Sequence, residues 1–267
     1  MKRQDKKAEI VLGHRAPDEG WLEDPSVYTY KRTHLELLQL TPLQGQFVLD
    51  AGCGPGTYGI ILAQQGNKVI GIDISPEEVA AAKERSKQKG VDFSPIVGDL
   101  ENLPFKDKSF DICFCGWTLH HFPDIDTAVA ELVRVLKPGG KIALAEPNES
   151  NLAMRLSRFI ENLAQKWVLK AGWDTPNRTI HKHNCYLKAL EQQRFTDIKV
   201  SSCFPGGLPP LPIKGQRREL TFLGSLLIHI LFCLRRLLFT IAAKVLPRPL
   251  NGADLLITGI KGGEDIR

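Results

Sequence analysis

Three carboxylates each close an apolar run that favours a β-strand: Asp50, Asp73 and Asp99. The first is followed by a glycine loop, residues 52–56, in which three of five residues are glycine. Glycine lets the chain turn tightly and lets a ligand approach the backbone without meeting a Cβ atom. The helical pattern that follows would direct its N-terminus, with unpaired N–H groups, towards an anionic ligand group. Together these features predict a pocket for a cofactor that contains adenosine.

The glycine loop allows two interpretations of that cofactor. Its spacing Gly54-x-Gly56-x-x-Gly59 matches the fingerprint of dinucleotide-binding proteins, which is a weak signal when it stands alone. Asp50 favours the other interpretation, because a carboxylate there would repel a pyrophosphate but attract the α-amino group of S-adenosylmethionine. The chain also lacks the Tyr-x-x-x-Lys pair of many small nicotinamide reductases. A tight turn that binds no ligand would need only one glycine, so the three glycines favour a ligand. Because Asp50 favours an α-amino group, we expect that ligand to be S-adenosylmethionine.

The two later carboxylates have positions suited to the nucleoside half of the cofactor. Asp73 lies about twenty residues past the loop, where an acidic residue commonly accepts hydrogen bonds from the ribose hydroxyls. Ser75, with Glu78 three residues later as a capping box, is the better N-cap of the next helix, which leaves Asp73 available for a ligand. We expect Asp99 to accept a hydrogen bond from the adenine amino group and the Leu100 backbone to meet the ring edge.

Strand and helix patterns alternate around these residues. We predict strands over 47–49, 68–73, 93–100, 109–115 and 141–145, and helices over 57–65 and 125–136. Such alternation predicts a parallel sheet with right-handed crossovers, which binds ligands at the carboxyl ends of its strands. The residues expected to contact the cofactor are Asp50, Ala51, Gly52, Cys53, Gly54, Gly56, Asp73, Ile74, Gly98, Asp99, Leu100, Cys115 and Trp117.

Several motifs in this order resemble the class I S-adenosylmethionine-dependent methyltransferases, in particular the branch that methylates quinones and sterols. They are LDAGCGPG at 49–56, GIDIS at 71–75, GDLENLPF at 98–105, LHHF at 119–122 and LKPGG at 136–140. The resemblance covers about residues 45–147 and implies a doubly wound α/β fold with a mostly parallel seven-stranded sheet. It implies that Asp50 and the glycine loop hold the methionine part, Asp73 the ribose, and Asp99 with Leu100 the adenine. It does not extend to the substrate.

Length and charge set further limits. The 267 residues can bury one α/β core with room for an elaboration. Residues 151–250 carry 16 lysines or arginines against 5 acidic residues, a balance of +11, whereas residues 51–150 have a balance of −4. The charged N-terminus has no apolar run behind it and the six cysteines form no Cys-x-x-Cys pair, so we expect a cytoplasmic protein with reduced thiols. The basic second half favours an anionic partner.

The last two expected strands, over 195–201 and 254–261, are about fifty residues apart, far more than a usual hairpin loop. Within this insertion, residues 220–246 show a helical apolar pattern that Arg235 and Arg236 interrupt, so it is too short to span a membrane. We predict an amphipathic helix on an anionic membrane surface, at the inner membrane face. The alternatives are packing on the protein's own core or on a dimer partner, and a lid over the substrate.

Methyl transfer depends largely on holding donor and acceptor together, and a base is needed only for a weakly acidic acceptor. His120 and His121 are the candidate bases, since imidazole titrates near neutral pH, although a structural role is the alternative. Trp117 is expected against the adenine, the substrate or the core. Weaker site candidates are Tyr28, Tyr30, His34, Trp173, His181 and His183. His181, His183 and Cys185 lack a fourth ligand, so we predict no metal site there and the start of a helix over 186–193.

These inferences predict three parts: an N-terminal helical cap over 1–44, a methyltransferase core over 45–204 plus 252–267, and the basic amphipathic insertion over 205–251. The expected reaction is methylation of an oxygen or carbon atom of a lipophilic small molecule, such as a quinone, prenyl or polyketide intermediate. One alternative is an RNA methyltransferase that uses the basic segment, which the scarcity of aromatic residues there disfavours. Another is a non-catalytic, cofactor-binding scaffold at a membrane. The sequence does not predict the oligomeric state.

Overall fold

The computed structural model describes residues 25–148, 181–203 and 252–262, together with positions 150, 151, 155, 179, 237, 241, 244 and 245. Most of the expected insertion, Trp173 and residues 1–24 lie outside the described residues. The helices are α1 (Pro25–Leu37), α2 (Thr57–Ala63), α3 (Pro76–Lys89), α4 (Asp126–Val135) and α5 (His183–Gln192). The strands are β1 (Phe47–Ala51), β2 (Lys68–Asp73), β3 (Phe93–Val97), β4 (Phe110–Gly116), β5 (Leu136–Pro147), β6 (Phe195–Cys203) and β7 (Asp254–Lys261).

The seven strands form one sheet in the order β3-β2-β1-β4-β5-β7-β6. The first five are parallel, whereas β7 runs antiparallel to both β5 and β6. The predicted doubly wound α/β fold with a mostly parallel sheet is therefore confirmed. The bounds of β2 and β7 agree with the prediction, but β5 begins five residues before the predicted position. The amphipathic helix expected over 220–246 stays a prediction.

The central strand β1 is apolar because both of its faces are covered. Leu49 belongs to one buried cluster together with side chains of α4 and α5, and Val48 belongs to another together with side chains of α2. Helix α1 joins the second cluster through Leu35, which is fully buried. The N-terminal helix thus packs directly against the sheet that carries the predicted site. Among the described residues, no helix is both long and apolar enough to cross a membrane.

The antiparallel strands bring distant parts of the chain to the edge where the parallel strands end. Asp254, the first residue of β7, pairs with Pro147 at the end of β5 and with Cys203 at the end of β6. The chain therefore leaves the sheet after Cys203 and returns before Asp254 at this carboxyl edge. Both ends of the insertion between β6 and β7 lie at the edge where ligands bind in such sheets.

Candidate cofactor and acceptor site

The glycine loop joins β1 to α2 in a conformation that favours glycine. Gly52 and Gly56 have φ angles of 73° and 82°, in the left-handed region. A Cβ atom on Gly52 would lie 2.1 Å from Oγ1 of Thr118, which donates a hydrogen bond to the Gly52 carbonyl oxygen at 3.3 Å. Arg85 of α3 also holds the loop, because its guanidinium donates to the Pro55 carbonyl oxygen at 2.5 Å. The loop backbone is thus fixed closely against the segment after β4.

Asp50 lies in β1 at the start of this loop and is 1% exposed. Both of its carboxylate oxygens are buried and have no hydrogen-bond partner among the residues that the structure describes. Burial raises the pKa of this carboxyl to about 7; the backbone N–H of Gly59 and the charge of Lys31 oppose the rise, and the charge of Asp73 adds to it. Leaving a buried carboxylate unpaired costs free energy. The position therefore suits a cationic ligand group with N–H donors.

Asp73 ends β2 and is oriented by backbone donors. The Gly54 N–H donates to its Oδ2 at 2.8 Å, and the Ser75 N–H donates to its Oδ1 at 3.0 Å. The predicted cap is confirmed, because Ser75 Oγ accepts the N–H of Glu78 at 3.3 Å. Asp73 nevertheless has a structural task that was not expected, since it ties the glycine loop to the start of α3. A carboxylate oxygen can accept more than one hydrogen bond, so these backbone contacts are compatible with the predicted binding of ribose hydroxyls.

Asp99 and Leu100 form a turn just after β3. Asp99 Oδ1 accepts the N–H of Glu101 at 3.0 Å, which fixes the carboxylate within the turn. The Gly98 N–H donates to the Asp73 carbonyl oxygen at 2.9 Å, so this turn lies beside the end of β2. The Leu100 side chain is buried, so a contact of Leu100 with a ligand would be made by its backbone. The adenine assignment itself remains a prediction.

Besides Leu100, three of the predicted contact residues are core residues. The side chains of Ala51, Cys53 and Cys115 are at most 6% exposed, and Ala51 pairs with Cys115 between β1 and β4. Burial raises the pKa of the Cys115 thiol well above its ordinary value, so the thiol is neutral. Ile74, after β2, is partly exposed. Any contact of Ala51 or Cys115 with the cofactor would therefore involve the backbone.

Trp117 begins the segment after β4 with a φ of 58°, which is uncommon for a bulky residue. Its N–H donates to the Ala145 carbonyl oxygen at 2.7 Å, so the unusual backbone is held by a neighbouring strand. The indole Nε1 is buried and has no hydrogen-bond partner within the described part of the chain. Backbone strain and an unpaired buried donor at the carboxyl edge are both typical of a functional position.

Lys31 of α1 reaches the same region, although it was not predicted from the sequence. Its ammonium nitrogen lies 4.2 Å from the centroid of the Tyr58 ring and 5.6 Å from that of Trp117, within the range of cation–π attraction. Burial lowers the pKa of this ammonium to about 8, while the charges of nearby carboxylates, first that of Asp254, oppose the shift. The site thus contains a positive charge close to two aromatic faces.

His120 lies in a short 3₁₀ turn, Leu119–His121, and is 4% exposed. Its Nδ1 is 2.8 Å from Oε2 of Glu146, a residue of β5 that is 1% exposed. Burial acts to raise the pKa of Glu146, but the hydrogen bond and the charge of His120, with two backbone N–H donors, hold it below its ordinary value. A predicted candidate base is therefore fixed by a buried carboxylate that was not predicted. The position of Glu146 near the end of a strand could have indicated it.

The predicted weaker candidates in α1 belong to a buried polar network. The Tyr30 hydroxyl donates to Asp254 Oδ2, and His34 Nε2 lies 3.0 Å from the same oxygen. His34 Nδ1 is 2.6 Å from the Tyr58 hydroxyl. Possible ligand atoms of His34, Cys203 and Asp254 all lie within 4.8 Å of one another, which is a spacing suited to a metal ion. Because both ring nitrogens of His34 are already hydrogen-bonded, we interpret the cluster as a network that joins α1 to β7 and α2.

His181 and His183 make local contacts instead of meeting at one point. His181 Nε2 is 2.7 Å from the Phe122 carbonyl oxygen, and His183 Nδ1 is 2.9 Å from Ser150 Oγ. Helix α5 begins at His183, three residues before the predicted start, because His183 is also held by Ser150 through its backbone N–H at 3.2 Å. Both histidines therefore stabilise the segment that leads into α5.

Two further candidates lie at the margin of the site. The Tyr28 hydroxyl donates to Gln64 Oε1 at 2.7 Å, and this pair is exposed. His121 is partly exposed, with its ring centroid 4.1 Å from that of His120. The structure therefore separates the two predicted bases, since only His120 has Glu146 as a buried partner among the described residues.

The residues at the carboxyl edge fit S-adenosylmethionine. Asp50 offers an unpaired carboxylate to an α-ammonium group, and the loop that follows has no Cβ at its closest approach. Asp73 offers oriented acceptors for ribose hydroxyls. Lys31 supplies the positive charge that the carboxylate of an amino acid requires. The negative charge of Asp50 and the positive charge of Lys31 suit the two charged groups of an amino acid. The carboxylate of Asp73 suits the ribose of an adenosine joined to that amino acid.

Comparison with known proteins agrees with this site. A family model described as a methyltransferase domain matches residues 49–144. A malonyl-[acyl-carrier protein] O-methyltransferase from Hamiltonella defensa is 34% identical over 138 residues, which make up 51% of this chain and 49% of that protein. A demethylmenaquinone methyltransferase from Lactobacillus johnsonii is 37% identical over 174 residues, 59% of this chain and 70% of the relative. The crystal structure of Haemonchus contortus phosphoethanolamine N-methyltransferase 2 with S-adenosylmethionine has a TM-score of 0.60 at 22% identity, over 86% of this chain and 52% of that one.

The chain spans about half the length of the malonyl-[acyl-carrier protein] relatives, with 49% and 52% of two of them aligned. The demethylmenaquinone relative is aligned over more than two thirds of its length. The family region contains all three strand-end carboxylates, Asp50, Asp73 and Asp99. On the strength of this agreement between relatives, sheet order and cofactor-binding edge, the chain belongs to the class I S-adenosylmethionine-dependent methyltransferases.

Proposed function

We propose that this protein transfers the methyl group of S-adenosylmethionine to an oxygen or carbon atom of a lipophilic small molecule, at or near a membrane surface. The observation that carries the proposal is the buried carboxylate of Asp50, which has no partner among the described residues and adjoins the glycine loop. A buried group of this kind is retained at a cost in stability, so it indicates a ligand that pairs with it.

In the proposed complex, Asp50 holds the α-ammonium group, Lys31 the carboxylate, and Asp73 the ribose. Asp99 and the Leu100 backbone hold the adenine. The bound sulfonium supplies an electrophilic methyl group. The protein contributes orientation, because fixed donor and acceptor positions can lower the barrier of a displacement reaction by several kcal/mol. It also excludes water, since most of the side chains concerned are buried.

We place the acceptor side of the site at the carboxyl edge, next to the two described ends of the insertion between β6 and β7. Support comes from the pairing of Cys203 with Asp254, which puts both ends of that insertion at the edge. A segment anchored at these two points can cover the acceptor. The name of the L. johnsonii relative indicates a lipophilic acceptor for that protein, and a lipophilic acceptor suits the apolar composition of this insertion.

Association with an anionic membrane is supported by four described positions in the insertion. Leu237, Ile241 and Val245 are helical residues spaced four apart, and they are 57%, 50% and 73% exposed. Residues with this spacing share one helix face. Lys244 is also exposed next to that face. An exposed apolar stripe with cationic neighbours in a segment of strongly positive charge suits the interface of an anionic bilayer.

Calorimetric titration tests the cofactor assignment first. We expect the purified protein to bind S-adenosylmethionine and to show no heat of binding with NAD. Binding of NAD without binding of S-adenosylmethionine would contradict the proposal.

The acceptor class is tested with a methyl-labelled donor. The protein is incubated with S-adenosylmethionine labelled at the methyl group, together with a cell extract that is afterwards divided into organic-soluble, protein and RNA fractions. We expect label in the organic-soluble fraction, identified by mass spectrometry. Label confined to RNA would replace the proposal with the nucleic-acid alternative, and binding of the cofactor without any transfer would favour the scaffold.

Membrane docking is tested by co-sedimentation with vesicles of phosphatidylglycerol and phosphatidylcholine. We expect the double variant Leu237→Glu, Ile241→Glu to lose most of its binding, because two charges would enter the apolar interface. Leu37→Glu is the matched control, since Leu37 is an equally exposed leucine (50%) on helix α1. Equal sedimentation of the double variant and the wild type would refute docking through this face.

A further inference from the structure

We propose that Asp254 is a positioning residue for the cofactor: it holds helix α1 in the place where Lys31 pairs with the carboxylate of S-adenosylmethionine. The inference rests on the proposed function, in which Lys31 has that role, and it adds the residue on which the role depends. Three observations carry it: a lysine on the inward face of α1, two contacts that flank this lysine, and the firm attachment of Asp254 to the sheet.

Lys31 lies on the face of α1 that packs against the sheet. Val27, His34 and Leu35, three or four residues away along the helix, share this face and are at most 1% exposed. Lys31 itself is partly exposed. Its ammonium has no hydrogen bond or ion pair within the part of the chain that the structure describes, where it meets only two aromatic faces. A cation turned inward without a counter-charge in contact indicates an anionic ligand group.

Tyr30 and His34 attach this face of α1 to Asp254. The Tyr30 hydroxyl donates to Asp254 Oδ2, and burial raises the pKa of that hydroxyl well above its ordinary value, so it keeps its proton. His34 Nε2 lies 3.0 Å from the same oxygen. Tyr30 directly precedes Lys31, and His34 follows about one helical turn later. The two contacts therefore fix both the position and the rotation of α1 at Lys31.

Asp254 is held firmly, because the chain next to it is tied to two neighbouring strands. The Gly252 carbonyl oxygen accepts the carboxamides of Asn148 and Asn151, at 2.9 and 3.0 Å, and the Gly252 N–H donates to Ser202 Oγ at 3.0 Å. Asp254 itself is fully buried and begins β7 between the ends of β5 and β6. The sheet therefore fixes Asp254, and Asp254 fixes α1.

Asp254 also acts on Lys31 through its charge. Among the carboxylates that keep the proton on Lys31, Asp254 has the largest effect, ahead of Asp50 and Glu146. The Tyr58 hydroxyl on α2 is neutral, because burial raises its pKa well above the ordinary value. With Asp254 in place the pKa of the Lys31 ammonium is about 8, and loss of this carboxylate would lower it further.

Two ligands that differ only in the carboxylate isolate the contact of Lys31. Decarboxylated S-adenosylmethionine lacks this group but keeps the sulfonium, the amine and the adenosine. The ratio of the two dissociation constants, measured by calorimetric titration at about pH 7, therefore reports the carboxylate contact, whereas a general disturbance of the site cancels from it. A charge-assisted hydrogen bond predicts that the wild type favours S-adenosylmethionine by about 10- to 150-fold.

Tyr30→Phe is the main variant, because it removes one of the two contacts and keeps the aromatic ring. We expect the ratio to fall by about 2- to 12-fold, the contribution of one hydrogen bond, while affinity for the decarboxylated ligand changes less than about twofold. Tyr28→Phe is the matched control and should keep the wild-type ratio, since Tyr28 lies on the same helix and its hydroxyl donates to Gln64 in an exposed pair. Lys31→Met should lower the ratio to about one.

The dependence of the ratio on pH separates positioning of Lys31 from stabilisation of the fold. In the wild type the ratio should fall above about pH 8, where Lys31 loses its proton in the ligand-free protein. A nearby carboxylate favours the protonated form, so in Asp254→Asn the fall should begin at a lower pH. Tyr30→Phe keeps the charge of Asp254 and should keep the wild-type pH limit, and it supplies the test by itself if Asp254→Asn does not fold.

An unchanged ratio in Tyr30→Phe, or an equal loss of affinity for both ligands, would overturn the proposal and leave the pair of Tyr30 and Asp254 as a stabiliser of the fold. A ratio near one in the wild type, or an unchanged ratio in Lys31→Met, would overturn it too, although the proposed methyl transfer would stand. A wild type that binds neither ligand would contradict the proposed function and this inference together.

Discussion

Affinity for the cofactor should depend on pH through Asp50. Burial raises the pKa of this carboxyl to about 7 in the ligand-free protein. Pairing with an α-ammonium group requires the ionised form, so affinity should rise with pH up to about pH 7. Above about pH 8 it should fall again, because Lys31, which is proposed to hold the ligand carboxylate, loses its proton. At about pH 6 roughly one carboxyl in ten is ionised, which predicts binding about tenfold weaker than the maximum, and at about pH 5 about a hundredfold weaker.

The variant Asp50→Asn keeps the shape of the side chain but removes its charge. Hydrogen bonds to a charged group contribute about 1.5–3 kcal/mol, so we expect a loss of about 10- to 150-fold in maximal affinity. The dependence on pH between about 5 and 7 should disappear with the carboxyl group.

Calorimetric titration with S-adenosylmethionine across this pH range measures both effects. Repeating it in buffers with different ionisation enthalpies gives the number of protons released, which should approach about one well below pH 7 and fall to zero in Asp50→Asn. Asp92→Asn is the control, since Asp92 is an exposed carboxylate at the start of β3. A wild-type affinity that is constant between about pH 5 and 7, or an unchanged pH dependence in Asp50→Asn, would refute the role assigned to this carboxyl.

Three further outcomes are expected. Folding raises the pKa of Asp50 from 3.8 to about 7, so ionisation of this carboxyl destabilises the ligand-free protein progressively above about pH 4. The variant Asp50→Asn should therefore raise the free energy of unfolding in urea by at most about 4 kcal/mol at about pH 8, and by little at about pH 4. Gly52→Ala should lower both the affinity for the cofactor and the melting temperature, since the added Cβ atom would clash with Thr118. Gly66→Ala is its control: Gly66 has a similar φ of 85° but no atom within 4 Å of the added Cβ, so this variant should lower only the melting temperature. His34→Ala leaves Asp254 buried without its imidazole partner and should cost about 3 kcal/mol in urea unfolding; a cost below about 1 kcal/mol would contradict the network.

Local signals in the chain were sufficient to predict the strands and their connections. β2 and β7 have apolar, β-branched runs with charged or glycine boundaries, and both agree with the predicted bounds. Helix α3 has a complete start signal, Ser75 with Pro76 behind it, and ends at Gly90 with a left-handed φ of 62°. β5 was predicted too short, because its first residues contain Pro138 and two glycines that are typical of a turn. Pairing of Leu136 with Phe110 extends the strand beyond this sequence pattern.

The sequence predicted a residue of the site only where the local pattern of one strand end or one loop was itself unusual. Asp50, Asp73 and the glycine loop do so, because a carboxylate after an apolar strand or a dense run of glycines is unusual without a ligand. Lys31 carries no such signal, since a lysine in a helix is an ordinary residue, and Glu146, near the end of β5, carries only the signal of its position. Their importance arises from contacts with residues that are distant in sequence.

The sequence by itself determined the order of strands and helices, the parallel core and the type of cofactor, because these depend on periodicity, turn residues and short-range spacing. The tertiary structure decided which side chains share the site. It placed Glu146 behind His120, Lys31 over the aromatic rings beside Asp50, and the ends of the insertion at the carboxyl edge next to Asp254. The physical reason is that burial, pKa and hydrogen-bond partners depend on what the fold brings together, and strand register across the sheet is not encoded in any one segment.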